Sequence, residues 1–274
     1  MPADVAVLMA SYNADRTLRQ AAESVLASTA PCRLFVIDDH SRTPVAELLH
    51  GLDLEIIRLE RNMGLPSALN AGLARILSQS YKYVARMDAD DIAYPERLAT
   101  QVAFLEANPH VGLVGSAARF IDEKTGETVL WYRPPLTYAA IRRRLFFNNC
   151  FVHPTWVVRA DVLREIGPYS LDYPAAEDYQ FIRRVSARFE MANVPDYLLD
   201  YRISATGISV TKRRRQLYDR LRIQLAFFEA REWRAWAGAA QTLAMFAMPM
   251  NWVQALKVEW RNAPPPVALP EKPD

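Results

Sequence analysis

Asp88, Asp90 and Asp91 put three carboxylates within four residues of YVARMDADDIAYPERLATQVAFLE (Tyr83 to Glu106), directly after an apolar run. Like charges this crowded at the end of a buried segment repel one another, and a bound cation relieves the repulsion. In an extended segment, residues two apart point to one side of the backbone, so Asp88 and Asp90 share a face. Magnesium or manganese takes oxygen ligands, typically one or two of them carboxylates, and leaves its other positions to water and substrate phosphates. The spacing therefore predicts a divalent metal bridging protein to a diphosphate. Capping of the helix that follows near Pro95 would account for one of the three acids and leave two unexplained.

Three more polar stretches occupy the same place, each after an apolar run: SYNADR after VAVLMA (Val5 to Ala10), DDHSR after RLFVID (Arg33 to Asp38), and ERNMG after LEIIRL (Leu54 to Leu59). The acids themselves follow YKYVARM (Tyr81 to Met87). Between these runs apolar residues recur at helical spacing: Leu18, Ala22 and Val25; Leu69, Leu73 and Ile76; Leu98, Val102 and Leu105. Strands alternating with helices predict an α/β fold with a Rossmann-like, mostly parallel sheet covered on both faces. In such a sheet ligands bind outside the carboxyl ends of the strands, which brings all four polar loops to one crevice.

Each loop has a chemistry and a plain alternative. Asp38 and Asp39 could accept hydrogen bonds from a base imide or a ribose hydroxyl, or form an Asx turn. Tyr12, between Ser11 and Asn13, offers a flat face for stacking a base, or packs as an ordinary aromatic at a strand end. In RNMGLPS, Gly64 permits close backbone approach, Arg61 supplies a cation, and the next helix presents its positive end; together they suit a phosphate.

The blocks SYN, VIDDHS, RNMGLPSALNAGL, RMDADDIAYPERLATQVAFLE, HPTWVVRADVLREIGPY and AEDYQFIRR, in that order from Val5 to Ser209, resemble the family 2 inverting glycosyltransferases of GT-A fold. The resemblance implies a nucleotide-diphosphate sugar as donor, Mg2+ or Mn2+ on the D-x-D, and transfer to an acceptor hydroxyl with inversion. It implies a donor site of Ser11, Tyr12, Asn13, Asp38, Asp39, Arg61, Asn62, Gly64, Asp88 and Ala89, with Asp88 near the ribose and Asp90 on the metal. From the family's E-D pair, Asp178 would be the general base and Glu177 an acceptor ligand. His153, at the start of an expected strand in NNCFVHPTWVVR, would reach a phosphate or acceptor or serve structure only. Two departures matter. Ser204 stands where many members carry a metal-directed histidine after a YR pair, and the Q-x-x-R-W signature of processive synthases is missing, which favours addition of one sugar at a time. Surface polysaccharide or lipid-linked glycan assembly is the family's habit.

The resemblance divides the chain into a nucleotide-sugar half (1–120) and an acceptor half (121–209), followed by a helical region (210–262) and a proline-rich tail (263–274) expected to be disordered. VGLVGSAARFIDEKTGETVLWY reads as a strand, a turn at Lys124 to Gly126 and a returning strand, so the sheet should be mixed beyond that point. After Ser209 comes a basic, aromatic-bearing helix, and from Ala235 to Leu256 no residue is charged. Three readings stand for this region: packing against the catalytic body, lying flat in a membrane interface with Trp233, Trp236 and Trp252 at headgroup level, or crossing the bilayer. The run Lys212 to Arg215 would suit anionic lipid or a lipid-diphosphate acceptor.

Composition narrows the rest. In 274 residues with 51% hydrophobic content there is enough chain for a large core, and a net charge of +2 argues against nucleic acid as partner. Cys32 and Cys150 match no zinc or redox spacing, and the N-terminus carries no basic leader. A cytoplasmic protein, with peripheral contact at the inner membrane face, is the expectation. Two rival functions are kept: a sugar nucleotidyltransferase, which would want a Gly-rich, Lys-bearing first loop that ASYNADR lacks, and a non-catalytic binder of sugar nucleotide or membrane.

Overall fold

The computed structural model describes residues 4–203 and 213–247. Strands β1 (Val5–Ser11), β2 (Cys32–Asp38), β3 (Glu55–Arg58) and β4 (Tyr83–Asp88) stand side by side in the order β3-β2-β1-β4. All three pairings are parallel, as the alternating pattern predicts. The connecting helices are α1 (Leu18–Leu26), α2 (Val45–Leu48) and α3 (Leu65–Leu77), and α4 (Arg97–Ala107) follows β4.

The reason these strands read as unbroken apolar runs is visible in β1. Val5, Val7 and Met9 enter one core with Leu18, Ala22 and Val25 of α1 and Leu98 and Leu105 of α4. Ala6, Leu8 and Ala10 enter a second core with Leu69, Leu73 and Ile76 of α3. A strand buried on both faces has no polar side to show, and each fully buried large aliphatic side chain contributes about 1.5–3 kcal/mol.

Past β4 the sheet becomes mixed, also as predicted. It continues β8-β6-β9-β5, with β7 attached to β6. Here β5 is Ile92–Ala93, β6 Val111–Asp122, β7 Thr128–Tyr132, β8 Val157–Arg159 and β9 Glu190–Ile203. β8 runs antiparallel to β4 and β6, whereas β9 is parallel to β6. The two-residue strand β5 lies directly after the acidic turn and pairs with β9 at Asp200 and Leu199. Helices α5 (Tyr138–Leu145), α6 (Ala160–Ile166) and α7 (Glu177–Ser186) cover the second core.

One expected strand is shorter than the apolar pattern implies. His153 does not begin a strand; His153–Thr155 is a turn of 3-10 helix, and only Val157–Arg159 pairs in the sheet. Pro154 has no N–H for a ladder, and Thr155 bonds locally instead, its N and Oγ1 both donating to Val152 O at 3.0 and 2.8 Å.

The C-terminal helices α8 (Arg213–Ala226) and α9 (Trp233–Ala247) pack against the sheet domain, with Leu217, Ile223, Ala235, Gly238 and Thr242 buried. Among the described residues, no helix is long and apolar enough to cross a membrane. Ser204, Lys212, Trp252 and the tail 263–274 lie outside the described residues.

Candidate active site

Strand register fixes the site. Ser11 is opposite Asp38, Ala10 opposite Asp88, and Asp38 opposite Arg58, so the four parallel strands end level and their loops meet at one edge. The loops are also stitched together. Asn13, in the left-handed region at φ 53°, donates its N–H to Ser41 Oγ at 3.0 Å and accepts from Arg42 N on Oδ1 at 2.9 Å. Left-handed backbone costs a non-glycine residue about 1–2 kcal/mol, and the two bonds offset that cost. Thr17 Oγ1 donates to Ala89 O at 3.0 Å, tying the entry of α1 to the acidic turn. Tyr12 is 53% exposed, whereas Ser11 before it is buried, its Oγ without a hydrogen-bond partner among the described residues.

The two aspartates after β2 are committed to protein donors. Asp38 is buried and accepts from Ser41 N at 2.8 Å, Val45 N at 3.3 Å and Arg58 Nη1 at 2.8 Å, so its carboxylate holds the loop that follows and the end of β3. Asp39, also buried, accepts from Met63 N at 2.7 Å and Gly64 N at 2.9 Å. Those two amides are ones a phosphate would use at this turn, and a carboxylate of the protein already holds them. Gly64 has φ +84°, and a Cβ there would meet nothing within 4 Å, so glycine is demanded by the backbone angle and not by crowding. Asn62 Nδ2 makes only a long contact with Asp39 O, 3.4 Å, and Arg61 is an exposed cation beside Met63.

Oxygens of Asp88, Asp90 and Asp91 all lie within 4.8 Å of one another. Asp91 is buried; its Oδ1 accepts from Arg202 N at 2.8 Å, and its Oδ2 has no partner. Burial, with Asp88 and Asp90 adding repulsion, raises its carboxyl well above the usual range. Asp90 reaches solvent but sits in a concavity crowded by protein atoms, and that crowding, with Asp88's charge second, raises it to about 6. A buried, unpaired carboxylate oxygen among converging acids fits a hard divalent cation.

A buried cation beside these acids is Arg86, on β4 two residues before Asp88. It is 4% exposed. Its Nη2 lies 2.5 Å from Asp88 Oδ1, an ion pair that lacks the alignment of a hydrogen bond, and none of its side-chain nitrogens has a hydrogen-bond partner. Its charge is felt by Asp90 and Asp91 on one side and by Glu177 and Asp178 on the other.

Glu177 and Asp178 open α7. Asp178 is held from both sides, accepting from Asn149 Nδ2 at 2.7 Å on Oδ2 and from Tyr179 N at 2.6 Å on Oδ1. Burial nevertheless raises its carboxyl, with these hydrogen bonds opposing. Glu177 is pushed up to about 8, first by burial and then by Asp178's charge. His153 lies under this helix in an aromatic cluster, its ring centroid 4.4 Å from that of Trp156 and its Nε2 3.0 Å from Tyr169 Oη. Burial, and then Arg86, lower its pKa well below the ordinary value. Its neighbours in the structure are thus Trp156 and Tyr169.

The model of the glycosyl transferase family 2 matches residues 6–167. The chain belongs to that family. A family 2 relative, the amylovoran biosynthesis glycosyltransferase AmsE of Erwinia amylovora, is 35% identical over 230 residues, covering 80% of this chain and 83% of its own length. The O-antigen biosynthesis glycosyltransferase WbnJ of Escherichia coli is 29% identical, over 73% of this chain and 79% of its own. The fold matches S. aureus TarS 1-349 in complex with UDP-GlcNAc at TM-score 0.67 and 17% identity, over 94% of this chain and 76% of that one. It also matches the mannosyltransferase PcManGT of Pyrobaculum calidifontis in complex with GDP-Man and Mn2+ at TM-score 0.63, over 94% and 80%. This family 2 protein is a glycosyltransferase with the GT-A fold, which sets aside the nucleotidyltransferase and the non-catalytic binder.

Several residues that shape the family 2 site escape sequence reasoning. Asn149 has no role in the motif pattern, and Arg202, visible only as part of the YR pair, donates Nη1 to Asp90 O at 3.0 Å, meets Gln20 through Nη2, and arrives from more than a hundred residues downstream. Arg86 does leave a signal: a charge in the middle of an otherwise buried strand. A separate cleft of about 420 Å³ lies at the opposite edge, lined by Lys82, Glu106, Arg159 and Arg164. Its cations are matched within the protein, Lys82 to Asp4 at 3.0 Å and Arg164 to Asp161 at 2.7 Å, so it offers no unsatisfied chemistry.

Proposed function

We propose that this glycosyltransferase moves one sugar at a time from a nucleotide-diphosphate sugar to an acceptor hydroxyl, with inversion and with help from a divalent metal. The observation that carries the proposal is the acidic turn: three converging carboxylates, one with a buried oxygen that has no hydrogen-bond partner among the described residues. In this reading Asp90, with Asp88 and Asp91, would hold Mg2+ or Mn2+, which would supply positive charge to the donor's diphosphate. Neighbours of the same fold in complex with UDP-GlcNAc, or with GDP-Man and Mn2+, support the donor class.

Around that turn the chain divides its tasks. Residues 1–120 form the donor half, in which Tyr12 stacks on the base, Ser11, Asn13, Asn62, Arg61, Gly64, Asp88 and Ala89 line the donor pocket, and Asp38 and Asp39 hold the loops in shape. Residues 121–209 form the acceptor half, with Glu177 at the acceptor and His153 under it. An acceptor hydroxyl is far too weak an acid to attack unaided, so Asp178 takes its proton as the oxygen bonds to the anomeric carbon and the bond to phosphate breaks. The raised pKa of Asp178 makes it a stronger base. A single in-line displacement leaves the product inverted, with the nucleoside diphosphate as leaving group.

The names of the relatives, amylovoran and O-antigen biosynthesis, support a place in surface polysaccharide or lipid-linked glycan assembly. Trp233, Trp236, Leu243 and Phe246 are exposed along α9, a surface suited to peripheral contact with the membrane that carries such acceptors.

Thermal unfolding with a panel of nucleotide sugars, including UDP-GlcNAc and GDP-mannose, tests the core of the proposal. One of them should raise Tm by several degrees only when MnCl2 or MgCl2 is present, and Asp90→Ala should remove the gain. If none stabilises the protein with either metal, the proposal fails. The anomeric configuration of the product, read by NMR, tests inversion.

A further inference from the structure

The C-terminal helices do more than cover the sheet domain. Asp219, on α8, is 0% exposed. Its Oδ2 accepts from Ala175 N at 3.3 Å, in the loop that leads into α7, and from Arg215 Nε at 3.2 Å. Arg222, one turn on, donates Nη1 to Asp172 O at 2.8 Å, lies 3.6 Å from Asp219 Oδ1, and sets its guanidinium 4.5 Å from the ring centre of Tyr173. Three residues of the 172–175 loop are therefore held by two side chains of one helix.

The same helix holds a second loop. Gln224, 5% exposed, donates Nε2 to Phe146 O and Phe147 O, both at 3.1 Å. Arg183 of α7 donates to Leu145 O at 3.0 Å and to Phe227 O, just past α8, at 2.9 Å. On α9, a Cβ at Gly238 would stand 2.0 Å from Phe146 O, so that helix backbone presses on the loop. Two residues beyond Phe147 is Asn149, the side chain that donates to Asp178 Oδ2.

Both loops that set the Asp178 carboxylate, one leading into its helix and one carrying its hydrogen-bond donor, are thus gripped from the C-terminal side. We propose that α8, through Asp219, Arg222 and Gln224, is a positioning element of the active site that fixes the rotamer and depth of Asp178. The proposal rests on the reading of Asp178 as general base. A carboxylate that must meet a hydroxyl hydrogen within hydrogen-bond reach tolerates little displacement, and a shift near 1 Å is enough to cost about a hundredfold in rate.

The test uses the full chain. Asp219→Leu removes the acceptor of the Ala175 amide while keeping the volume, Asp219→Asn keeps an acceptor there, and Arg222→Met removes the hold on Asp172 and Tyr173. Hydrogen exchange followed by mass spectrometry should show residues 146–151 and 172–179 exchanging about tenfold faster or more in Asp219→Leu and Arg222→Met, with β1 to β4 unchanged and Asp219→Asn close to the parent. With the nucleotide sugar that stabilises the protein in MnCl2, kcat should fall about tenfold or more while donor KM stays within about twofold. Unchanged exchange in both loops overturns the proposal, and so does a parallel loss of kcat and donor affinity. Asp178→Asn runs alongside: if it retains turnover while Asp219→Leu still loosens the loops, the base assignment has failed and the grip has not.

Discussion

Five acidic side chains gather around the buried Arg86 guanidinium, with the buried Arg97 also interacting with Asp91, and the energetics of single residues follow from that imbalance. Arg86 is the internal counter-charge to Asp88, Asp90, Asp91, Glu177 and Asp178. Removing one partner of a buried ion pair strands the other, at about 3–5 kcal/mol. Arg86→Met should accordingly lose about 3 kcal/mol of stability in urea unfolding of the metal-free protein, with Arg86→Lys losing less. A loss well under 1 kcal/mol would mean that the acids do without it. Glu177 gives a pH signature. Its carboxyl ionises near 4.5 in the unfolded chain and near 8 in the folded one. Between those values the folded protein retains a proton that the unfolded chain has released, so stability falls as pH rises through the window. Tm of the metal-free protein should drop from pH 5 to pH 8, and Glu177→Gln, which cannot ionise, should flatten that slope. A slope identical in the variant would refute the assignment.

At the scale of elements, the turn between β3 and α3 shows how one residue type serves a neighbouring loop. Asp39 can take the Met63 and Gly64 amides because Gly64 adopts φ +84°. Alanine there would clash with nothing, so the cost of Gly64→Ala is conformational alone, about 1–3 kcal/mol, and calorimetric unfolding should return a value in that range. The same variant should weaken donor binding, since the loop carrying Arg61 and Asn62 hangs from that turn. Elements also explain a partial mismatch. The apolar pattern across Asn148–Arg159 resembles a strand, but Pro154 interrupts the ladder and Thr155 turns its donors onto Val152 O, leaving three residues to pair. Periodicity detects burial, and a buried 3-10 turn followed by a short strand is as apolar as one long strand.

Taken as a whole molecule, the described residues form a two-sided sheet with its crevice at one edge and a C-terminal helical pair in which α9 exposes Trp233, Trp236, Leu243 and Phe246. Trp233 and Trp236 are 62% and 60% exposed, and exposed Arg214 and Arg231 lie on α8 and just before α9. Aromatic side chains with cations nearby favour an anionic membrane surface. Co-sedimentation with vesicles containing phosphatidylglycerol should show binding that weakens about tenfold in the Trp233→Ser, Trp236→Ser double variant and in high salt. Binding that is absent, or unchanged in the variant, would remove this face from the proposal.

The sequence by itself settled the periodic parts: four parallel strands buried on both faces, the mixed continuation, the crowding of Asp88, Asp90 and Asp91, and the level at which the polar loops end. These follow from the repeat of apolar and polar residues along each run, which spacing records. Tertiary structure decided which polar groups are spent and which remain open. Asp38 and Asp39 could not be told from free ligands until Arg58, Met63 and Gly64 arrived as their donors. Asn149 and Arg202 acquire their places beside Asp178 and Asp91 only when distant segments pack. A hydrogen bond saturates its partners one at a time and depends on angle and distance to a specific atom, so its assignment is a property of the assembled sheet and not of any local run of residues.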